Sequence, residues 1–284
     1  MGIDNFPLIE NNRGVQLMAS SSKETKYKNT CYWCGQPATT REHVPPRSFF
    51  PDSYECNGEV VKAKWERLIT VPSCTQHNNS KSDLDDYLRM HIVPFAKSDN
   101  IYAATLNQGK IFRAWCRTPA LLQIKSFDGD ILTFDVDDEK LGYALDAIAR
   151  ALYFHEFKTA FEGKCYTFWT QYSETSVLYG ANTEVLHAIA RERPQWNTPL
   201  KGEYPEIFQY QFSPTDQWGS TSLVVTFYES ISAVVVLADE AHKNDRDRLN
   251  AIDAALACNI DPRPFYLGPQ GYSTRTNTDH ETTD

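Results

Sequence analysis

The stretch CYWCGQPATTREHVPPRSFF, residues 31–50, decides how the N-terminal part of this chain folds and what it binds. It begins with Cys31 and Cys34, whose spacing lets one tight turn present two thiolates to a tetrahedral metal ion. Gly35 follows and supplies the backbone freedom that such a turn needs. One cysteine pair is half of a metal site, so the second half must come from elsewhere in the chain.

The second half lies in VPSCTQHNNSKSDLDDYL, residues 71–88, where Cys74 and His77 repeat the two-residue gap. Together the two pairs make a Cys3His set whose soft donors suit zinc. The alternative, ordinary core thiols, is less favoured because two pairs have matching spacing. We therefore predict a structural Zn²⁺ held by Cys31, Cys34, Cys74 and His77. The remaining cysteines have no such partner and are predicted to be buried thiols: Cys56, Cys116, Cys165 and Cys258.

A possible reaction centre lies between the two half-sites, in REHVPPRSFFP, residues 41–51. An imidazole that takes a proton from water, beside a carboxylate that holds a divalent cation, is what metal-assisted phosphodiester hydrolysis requires. His43 and Glu42 supply these two groups, and the amide oxygen of Asn78 is predicted to complete the shell of the cation. Arg47 is a candidate phosphate-binding residue, with a merely solvated arginine as the alternative.

The combined pattern resembles the HNH endonucleases of the ββα-metal type that carry an added zinc knuckle. It reads Cys-x-x-Cys, an acidic residue before His-Val-Pro, then Cys-x-x-His-Asn-x-x-Lys-Ser, and it covers about residues 30–89, under a quarter of the chain. The resemblance implies that His43 is the general base, that Glu42 takes the usual aspartate metal position and that Asn78 is the last letter of the motif. It further implies Mg²⁺ or Mn²⁺ as the catalytic cation and DNA ends with 5′-phosphate and 3′-hydroxyl groups.

The sequence departs from the family pattern at two points. His77 stands where many zinc-bearing members have their last cysteine, so the reverse assignment of His77 and Asn78 stays open. The middle asparagine, which orients the base histidine, has no clear match, and Thr70 or a backbone carbonyl is the candidate replacement. Two further readings follow: a zinc-stabilised binding or regulatory module whose centre has decayed, and an HNH-type nuclease that acts on RNA.

The charge of the chain is unevenly distributed. The formal net charge is −9, but residues 1–97 carry a net charge of +1 and the remainder carries −10. The N-terminal part can therefore face a polyanion such as DNA, although its own charge predicts only weak nonspecific binding. The acidic remainder is predicted to contact a partner subunit, a signal or a second copy of the chain. Scaffolding of the nuclease is the plainer alternative, and similar stand-alone proteins resemble restriction or anti-phage effectors.

Composition and pattern together predict an α+β protein. Apolar residues make up 41% of the chain, which is enough for a core. No apolar run reaches the roughly 18 residues of a membrane span, and no export signal is evident, so we expect a cytoplasmic protein without a membrane partner. The predicted organisation is a flexible leader (1–27), a small HNH module with structural zinc (28–97), a larger mixed α+β domain (98–266) and a disordered tail (267–284).

Local patterns predict the following elements. Helices are expected at 84–92, capped by Asn79 or Ser80, at 138–163, capped by Asp138, at 183–193 and at about 239–258. Strands are expected in IFRAWC and DILTFDV, with a turn at Asp128 and Gly129 between them. Further strands rich in aromatic and β-branched residues are expected in KCYTFWTQY, SVLYG, IFQYQF, SLVVTFYES and ISAVVVLA.

Overall fold

Two short antiparallel strands hold the N-terminal motif in the computed structural model. β1 (Thr40–His43) pairs with β4 (Thr70–Ser73), so that His43 stands opposite Thr70. Every second side chain of a strand faces the same side, and the burial of β1 follows this rule, because Glu42 is buried while its two neighbours are not. The pairing therefore fixes which residues of the motif face the interior.

The structure describes residues 29–117, 124–128, 131–134, 137–170, 181–216, 219–239, 265–268 and 271–274. The predicted leader, the SVLYG strand, Gly129 of the predicted turn and the polar helix after Asp239 lie outside these residues. None of the helices in the described ranges is both long and apolar enough to cross a membrane.

A hairpin and two successive helices complete the N-terminal part. They are β2 (Ser53–Cys56), β3 (Glu59–Lys62), α1 (Thr75–Ser80) and α2 (Ser82–Ile92). The predicted helix is confirmed, but its predicted cap is wrong. The N-cap position of α2 is Lys81, whose side chain makes no capping hydrogen bond, because the preceding residues already belong to α1.

The IFRAWC segment is helical, so the predicted strand there is wrong. A short helix, α3 (Ile101–Leu106), is capped by the side chain of Asn100, which accepts from the backbone N–H of Ala103. The chain continues through a π-helical turn, Asn107–Ile111, directly into α4 (Phe112–Arg117). Helical structure thus continues without a break from the capped helix α3 into a segment whose own composition favours a strand.

The C-terminal part is built on a four-stranded antiparallel sheet. Its strands are β7 (Gly163–Thr170), β8 (Phe208–Phe212), β9 (Thr221–Phe227) and β10 (Ile231–Asp239), arranged in the order β7-β10-β9-β8. Side chains on both faces of β9 and β10 are buried, because helices lie on both sides. These helices are α5 (Asp138–Phe157) and α6 (Ala181–Glu192).

The long helix α5 differs from the predicted helix 138–163 in its cap and in its end. Its N-cap is Asp137, whose carboxylate accepts from the backbone N–H of Lys140. It ends at Phe157 because Lys158 adopts the left-handed conformation, with φ of 57°.

Four further short strands form a second antiparallel sheet. They are β5 (Ile124–Asp128), β6 (Ile131–Phe134), β11 (Phe265–Gly268) and β12 (Gly271–Thr274), in the order β12-β11-β6-β5. The segment predicted as a tail, residues 267–284, therefore contains β12.

One hydrophobic core runs through both parts of the chain. Phe49, from the turn after β1, packs against Phe227 of β9 with ring centroids 5.2 Å apart. The buried hydroxyl of Tyr228 donates to the carbonyl oxygen of Phe49 at 2.8 Å. Core residues from before and after residue 97, such as Leu88 and Leu145, belong to the same buried cluster. The N-terminal motif is thus packed onto the C-terminal sheet rather than tethered to it.

Candidate functional site

The first cysteine pair sits on a tight turn. The backbone N–H of Gly35 donates to the carbonyl of Cys31 at 3.0 Å, and the N–H of Cys31 donates to the carbonyl of Gln36 at 2.7 Å. Gly35 has φ of 69°, a conformation that side chains with a Cβ rarely adopt. The sequence Cys-x-x-Cys-Gly therefore closes a turn with Cys31 buried inside and Cys34 at the surface.

The second pair sits at the start of α1. Cys74 is the N-cap residue, directly after β4, and His77 lies in the first turns of the helix. Residues three apart on a helix share a face, so both side chains point toward the turn of the first pair. The β1–β4 pairing brings the two halves together. A second link is the N–H of Tyr32, which lies between the first two cysteines and donates to the carbonyl of Pro72 at 2.9 Å.

The four predicted zinc ligands converge. Their ligand atoms all lie within 4.8 Å of one another. Cys34 Sγ is 3.9 Å from Cys74 Sγ, and His77 Nδ1 is 3.1 Å from Cys74 Sγ and 3.8 Å from Cys31 Sγ. A tetrahedral zinc ion needs ligand atoms roughly 3.5–3.8 Å apart, from Zn–S bonds of about 2.3 Å and Zn–N bonds of about 2.0 Å. The predicted Cys3His cluster is confirmed. Its donor set is consistent with a structural zinc site, and the observed distances lie on both sides of this range.

The thiols of the first pair differ in acidity. Burial opposes ionisation of Cys31, but backbone N–H groups of Cys34 and Cys74 outweigh it, so the pKa of Cys31 lies below its ordinary value. Burial raises the pKa of the Cys34 thiol, as does its proximity to Cys31. A thiolate is the form that binds metal, and a bound cation would favour it at both positions.

Two of the four other cysteines are not buried thiols as predicted. Cys56 and Cys116 are exposed. Cys56 is the last residue of β2, next to the turn of the β2–β3 hairpin, and Cys116 lies on the outer side of α4. Cys165 is half-buried in β7, and desolvation raises the pKa of its thiol. Cys258 lies outside the described residues.

Trp33 connects the cluster to the C-terminal part. Its ring stacks on the ring of the ligand His77 with centroids 5.5 Å apart, and on Tyr143 of α5 at 5.0 Å. The guanidinium of Arg150, also from α5, lies 5.2 Å from the Trp33 ring centroid. The same guanidinium donates to the carbonyls of Phe161 and Gly163 at 2.9 and 2.8 Å. Helix α5 therefore holds the zinc knuckle from one side, a contact that the sequence pattern did not suggest.

Glu42 lies in the interior. Its side chain is only 5% exposed, and Oε1 accepts hydrogen bonds from Lys81 Nζ and, at 3.3 Å, from the hydroxyl of Tyr32. The ammonium of Lys81 is also 3.4 Å from Asp85. Burial, together with the nearby charge of Glu42, raises the pKa of Asp85 to about 6 although Lys81 opposes the shift. The other oxygen of Glu42, Oε2, is buried and has no hydrogen-bond partner among the described residues.

Asn78 lies on the helix that faces Glu42. Its position three residues before Lys81 places it on the same helical face as the ammonium that binds Glu42. Its backbone N–H donates to the carbonyl of Cys74 at 3.0 Å, as expected within α1. The structure thus places α1 against β1, but among the described residues the hydrogen bonds of the Glu42 carboxylate go to Lys81 and Tyr32, not to Asn78.

His43 is half-buried at the end of β1, on the side of the strand opposite to Glu42. Burial and the positive charges of Arg47 and Arg41 lower its pKa, against the opposing charge of Glu42. Thr70, the predicted orienting residue, stands opposite His43, but its hydroxyl accepts hydrogen bonds from Arg41. Because its pKa is lowered, the imidazole of His43 is expected to be neutral near pH 7, which is the form that accepts a proton.

Arg47 lies on the 3₁₀ turn after β1, Arg47–Phe49. Its guanidinium donates to the carbonyl of Phe50 at 2.7 Å and to the carboxylate of Asp52 at 3.2 Å. The side chain remains 40% exposed. Both bonds hold Arg47 against its own loop, so its charge is partly matched before any ligand arrives.

Comparison with known proteins identifies no relative. No family model, no curated protein and no solved structure matches the chain.

Proposed function

We propose that this protein is a metal-dependent endonuclease of HNH type that hydrolyses DNA phosphodiester bonds. The observation that carries the proposal is the antiparallel β1–β4 pair followed directly by α1, beside the Cys3His cluster. This arrangement supports the resemblance because it puts Glu42 and His43 on the first strand and Asn78 on the helix. The convergence of the zinc ligands is the part that the structure itself carries.

Two metal ions are proposed, with different tasks. Zn²⁺ at Cys31, Cys34, Cys74 and His77 would fix the knuckle to α1. Glu42 and Asn78 would hold Mg²⁺ or Mn²⁺, and the buried, unpartnered Oε2 of Glu42 supports this because an oxygen in that position needs a cation or donor. Such a cation would supply charge stabilisation to the phosphate and the departing oxygen. Because Glu42 and His43 face opposite sides of β1, this role requires the phosphate to lie at the end of the strand, within reach of both residues.

His43 would act as the general base. It accepts a proton from a water molecule whose oxygen forms the new bond to phosphorus, while the bond from phosphorus to the 3′ oxygen breaks. The departing 3′ oxygen takes a proton from solvent, which leaves 5′-phosphate and 3′-hydroxyl ends. The half-exposed position of His43 and the lowered pKa support this role.

The acidic C-terminal part would control access of DNA to the site. It carries a net charge of −10 beyond residue 97 and packs directly on the motif through Phe49 and Trp33. An acidic surface repels a polyanion, so binding of a partner, a signal or a second copy would change access. A role as a restriction or anti-phage effector fits such control and rests on the family resemblance alone.

The ion pair between Glu42 and Lys81 favours a second candidate function. One oxygen of Glu42 is already occupied by an ammonium group, which competes with a divalent cation for the carboxylate. In this reading the zinc knuckle supports a binding or regulatory module without hydrolytic activity.

Cleavage assays separate these candidates. Pure protein is incubated with supercoiled plasmid and with structured RNA, in Mg²⁺, Mn²⁺ or EDTA. We expect plasmid cleavage in the divalent cations and its loss in EDTA. His43→Ala should abolish cleavage while retaining bound zinc, measured by metal analysis.

The outcomes discriminate clearly. Cleavage of RNA but not plasmid changes the substrate, and absence of cleavage of either supports the binding module. Equal cleavage by the wild type and His43→Ala would remove His43 from the mechanism.

A further inference from the structure

Arg41 lies beside His43 on the outer side of β1. The two residues are two apart on the strand, so their side chains face the same side, opposite to Glu42. Arg41 is exposed, whereas His43 is half-buried. Arg41 therefore lies on the same side of β1 as His43 and is the more exposed of the two.

The guanidinium of Arg41 is held in place by Thr70. Nε and Nη2 donate to the hydroxyl of Thr70 at 3.1 and 2.8 Å, and Nη2 also lies 3.3 Å from its carbonyl oxygen. Thr70 is the residue that stands opposite His43 in the strand pair. The guanidinium is thus anchored across the strands at the level of His43, and Nη1 makes none of these bonds.

The charge of Arg41 has no acidic partner in the described ranges, unlike that of Arg47, which pairs with Asp52. An anchored, uncompensated guanidinium is well suited to an anion with several oxygen atoms, because it presents a planar set of donors without rearranging.

We propose that Arg41, positioned by Thr70, binds a backbone phosphate of the nucleic acid beside His43. This inference rests on the proposed function, since it names the residue that holds the substrate of the same site. A guanidinium there binds the phosphate in the ground state and offsets the negative charge that builds on its oxygens during hydrolysis.

The binding arm of the test needs no catalysis. His43→Ala protein is titrated into a fluorescein-labelled 20-base-pair DNA duplex, and Kd is measured by anisotropy across a series of salt concentrations. The double variant His43→Ala/Arg41→Ala should bind the duplex about tenfold or more weakly than His43→Ala alone, and its salt slope should be lower by about one. Arg113→Ala, which removes an equal charge from the exposed surface of α4, serves as the matched control and should change Kd little.

The cleavage arm separates charge from position. In protein that retains His43, Arg41→Ala should lower kcat/KM for plasmid cleavage about 10- to 100-fold, and Arg41→Lys should restore part of it. Thr70→Val keeps the charge of Arg41 but removes the hydroxyl that accepts two of its three hydrogen bonds, so it should retain the salt slope and lower kcat. Arg47→Ala should have the smaller effect of the two arginine substitutions.

The two arms distinguish failure of this inference from failure of the nuclease proposal. Equal Kd and equal salt slope with and without Arg41 would overturn the phosphate site, whatever the cleavage result. Wild-type protein that cleaves nothing, but binds DNA in an Arg41-dependent way, would overturn the nuclease and leave the phosphate site standing.

Discussion

The ammonium group of Lys81 and the carboxylate of Glu42 form an ion pair in the interior, with side-chain exposures of 3% and 5%. Lys81 stands between two helices and Glu42 lies on a strand 39 residues earlier. The pair therefore ties the start of α2 to β1 in a place where both charges are almost entirely shielded from bulk water.

Lys81→Met is expected to lower the free energy of unfolding by about 3–5 kcal/mol, because it leaves the buried charge of Glu42 unpaired. The double variant Glu42→Gln/Lys81→Met should recover most of this loss, since both charges are then absent. Urea unfolding followed by circular dichroism measures each difference.

Lys110 provides the matched control for that substitution. It pairs with Asp52 at 3.3 Å, but the two side chains are 38% and 73% exposed. Lys110→Met should therefore change the unfolding free energy by about 0–1 kcal/mol. If Lys81→Met cost no more than Lys110→Met, the buried pair would not stabilise the fold.

Loss of a zinc ligand should unfold the N-terminal motif. Cys31→Ser and Cys74→Ser each remove one thiolate from the cluster, and the binding energy at such sites is largely folding energy. We expect about one zinc per wild-type chain by metal analysis, less in both variants, and a lower melting temperature. Cys116→Ser, at an exposed thiol outside the cluster, should retain zinc and melt like the wild type. Wild-type protein free of zinc, with all three variants melting alike, would refute the site.

His91 should make the fold less stable in mild acid. It is fully buried on α2, and burial lowers its pKa to about 4, against the opposing effects of the Tyr87 carbonyl and the Asp137 carboxylate. The unfolded chain, with a histidine pKa of about 6.5, binds the proton first as pH falls. Stability is then lost between about pH 6.5 and 4, by up to about 3 kcal/mol.

The measurement compares the wild type with His91→Leu, which cannot take up this proton. Urea unfolding at several pH values between 4 and 7 gives the difference in unfolding free energy. As pH falls, the unfolding free energy of the wild type should decrease more than that of the variant. If the two proteins lost stability equally with falling pH, His91 would be excluded as the cause.

Gly163 should not tolerate a side chain. A Cβ there would press on the carbonyl oxygen of Ala238 and lie 2.6 Å from Cζ of Phe161. Gly163→Ala is therefore expected to cost about 1–3 kcal/mol in unfolding free energy. Gly109→Ala is the matched control, because the nearest atom to its Cβ, on the flexible side chain of Arg113, is 3.8 Å away. Equal melting temperatures for the two variants would contradict the close approach at Gly163.

The zinc cluster was predictable because its signal is local. Each cysteine or histidine pair has a fixed two-residue gap, and the chemistry of zinc demands four donors. The helix α2 and all four strands of the C-terminal sheet were predictable for a similar reason, since their periodicity lies within a short window.

The environment of Glu42 was not predictable in this way. Its burial depends on Lys81 and Tyr32, which the fold brings to it from another helix and from the zinc knuckle. Arg41 was also overlooked, although the alternation of side chains along a strand already puts it on the same side as His43. The helix at IFRAWC was not predicted because helical structure continues from α3 into this segment, although the segment itself prefers a strand.

The hydrogen bond from Tyr228 to the backbone of Phe49 links positions 179 residues apart and sits where solvent does not reach. A fragment that ended at residue 97 would expose the side chain of Phe49, which now packs against Phe227, and it would lack a donor for that carbonyl. Limited proteolysis of the intact protein should accordingly not release a stable N-terminal fragment. Any swap of the C-terminal part between proteins would have to carry the matching face of the motif with it.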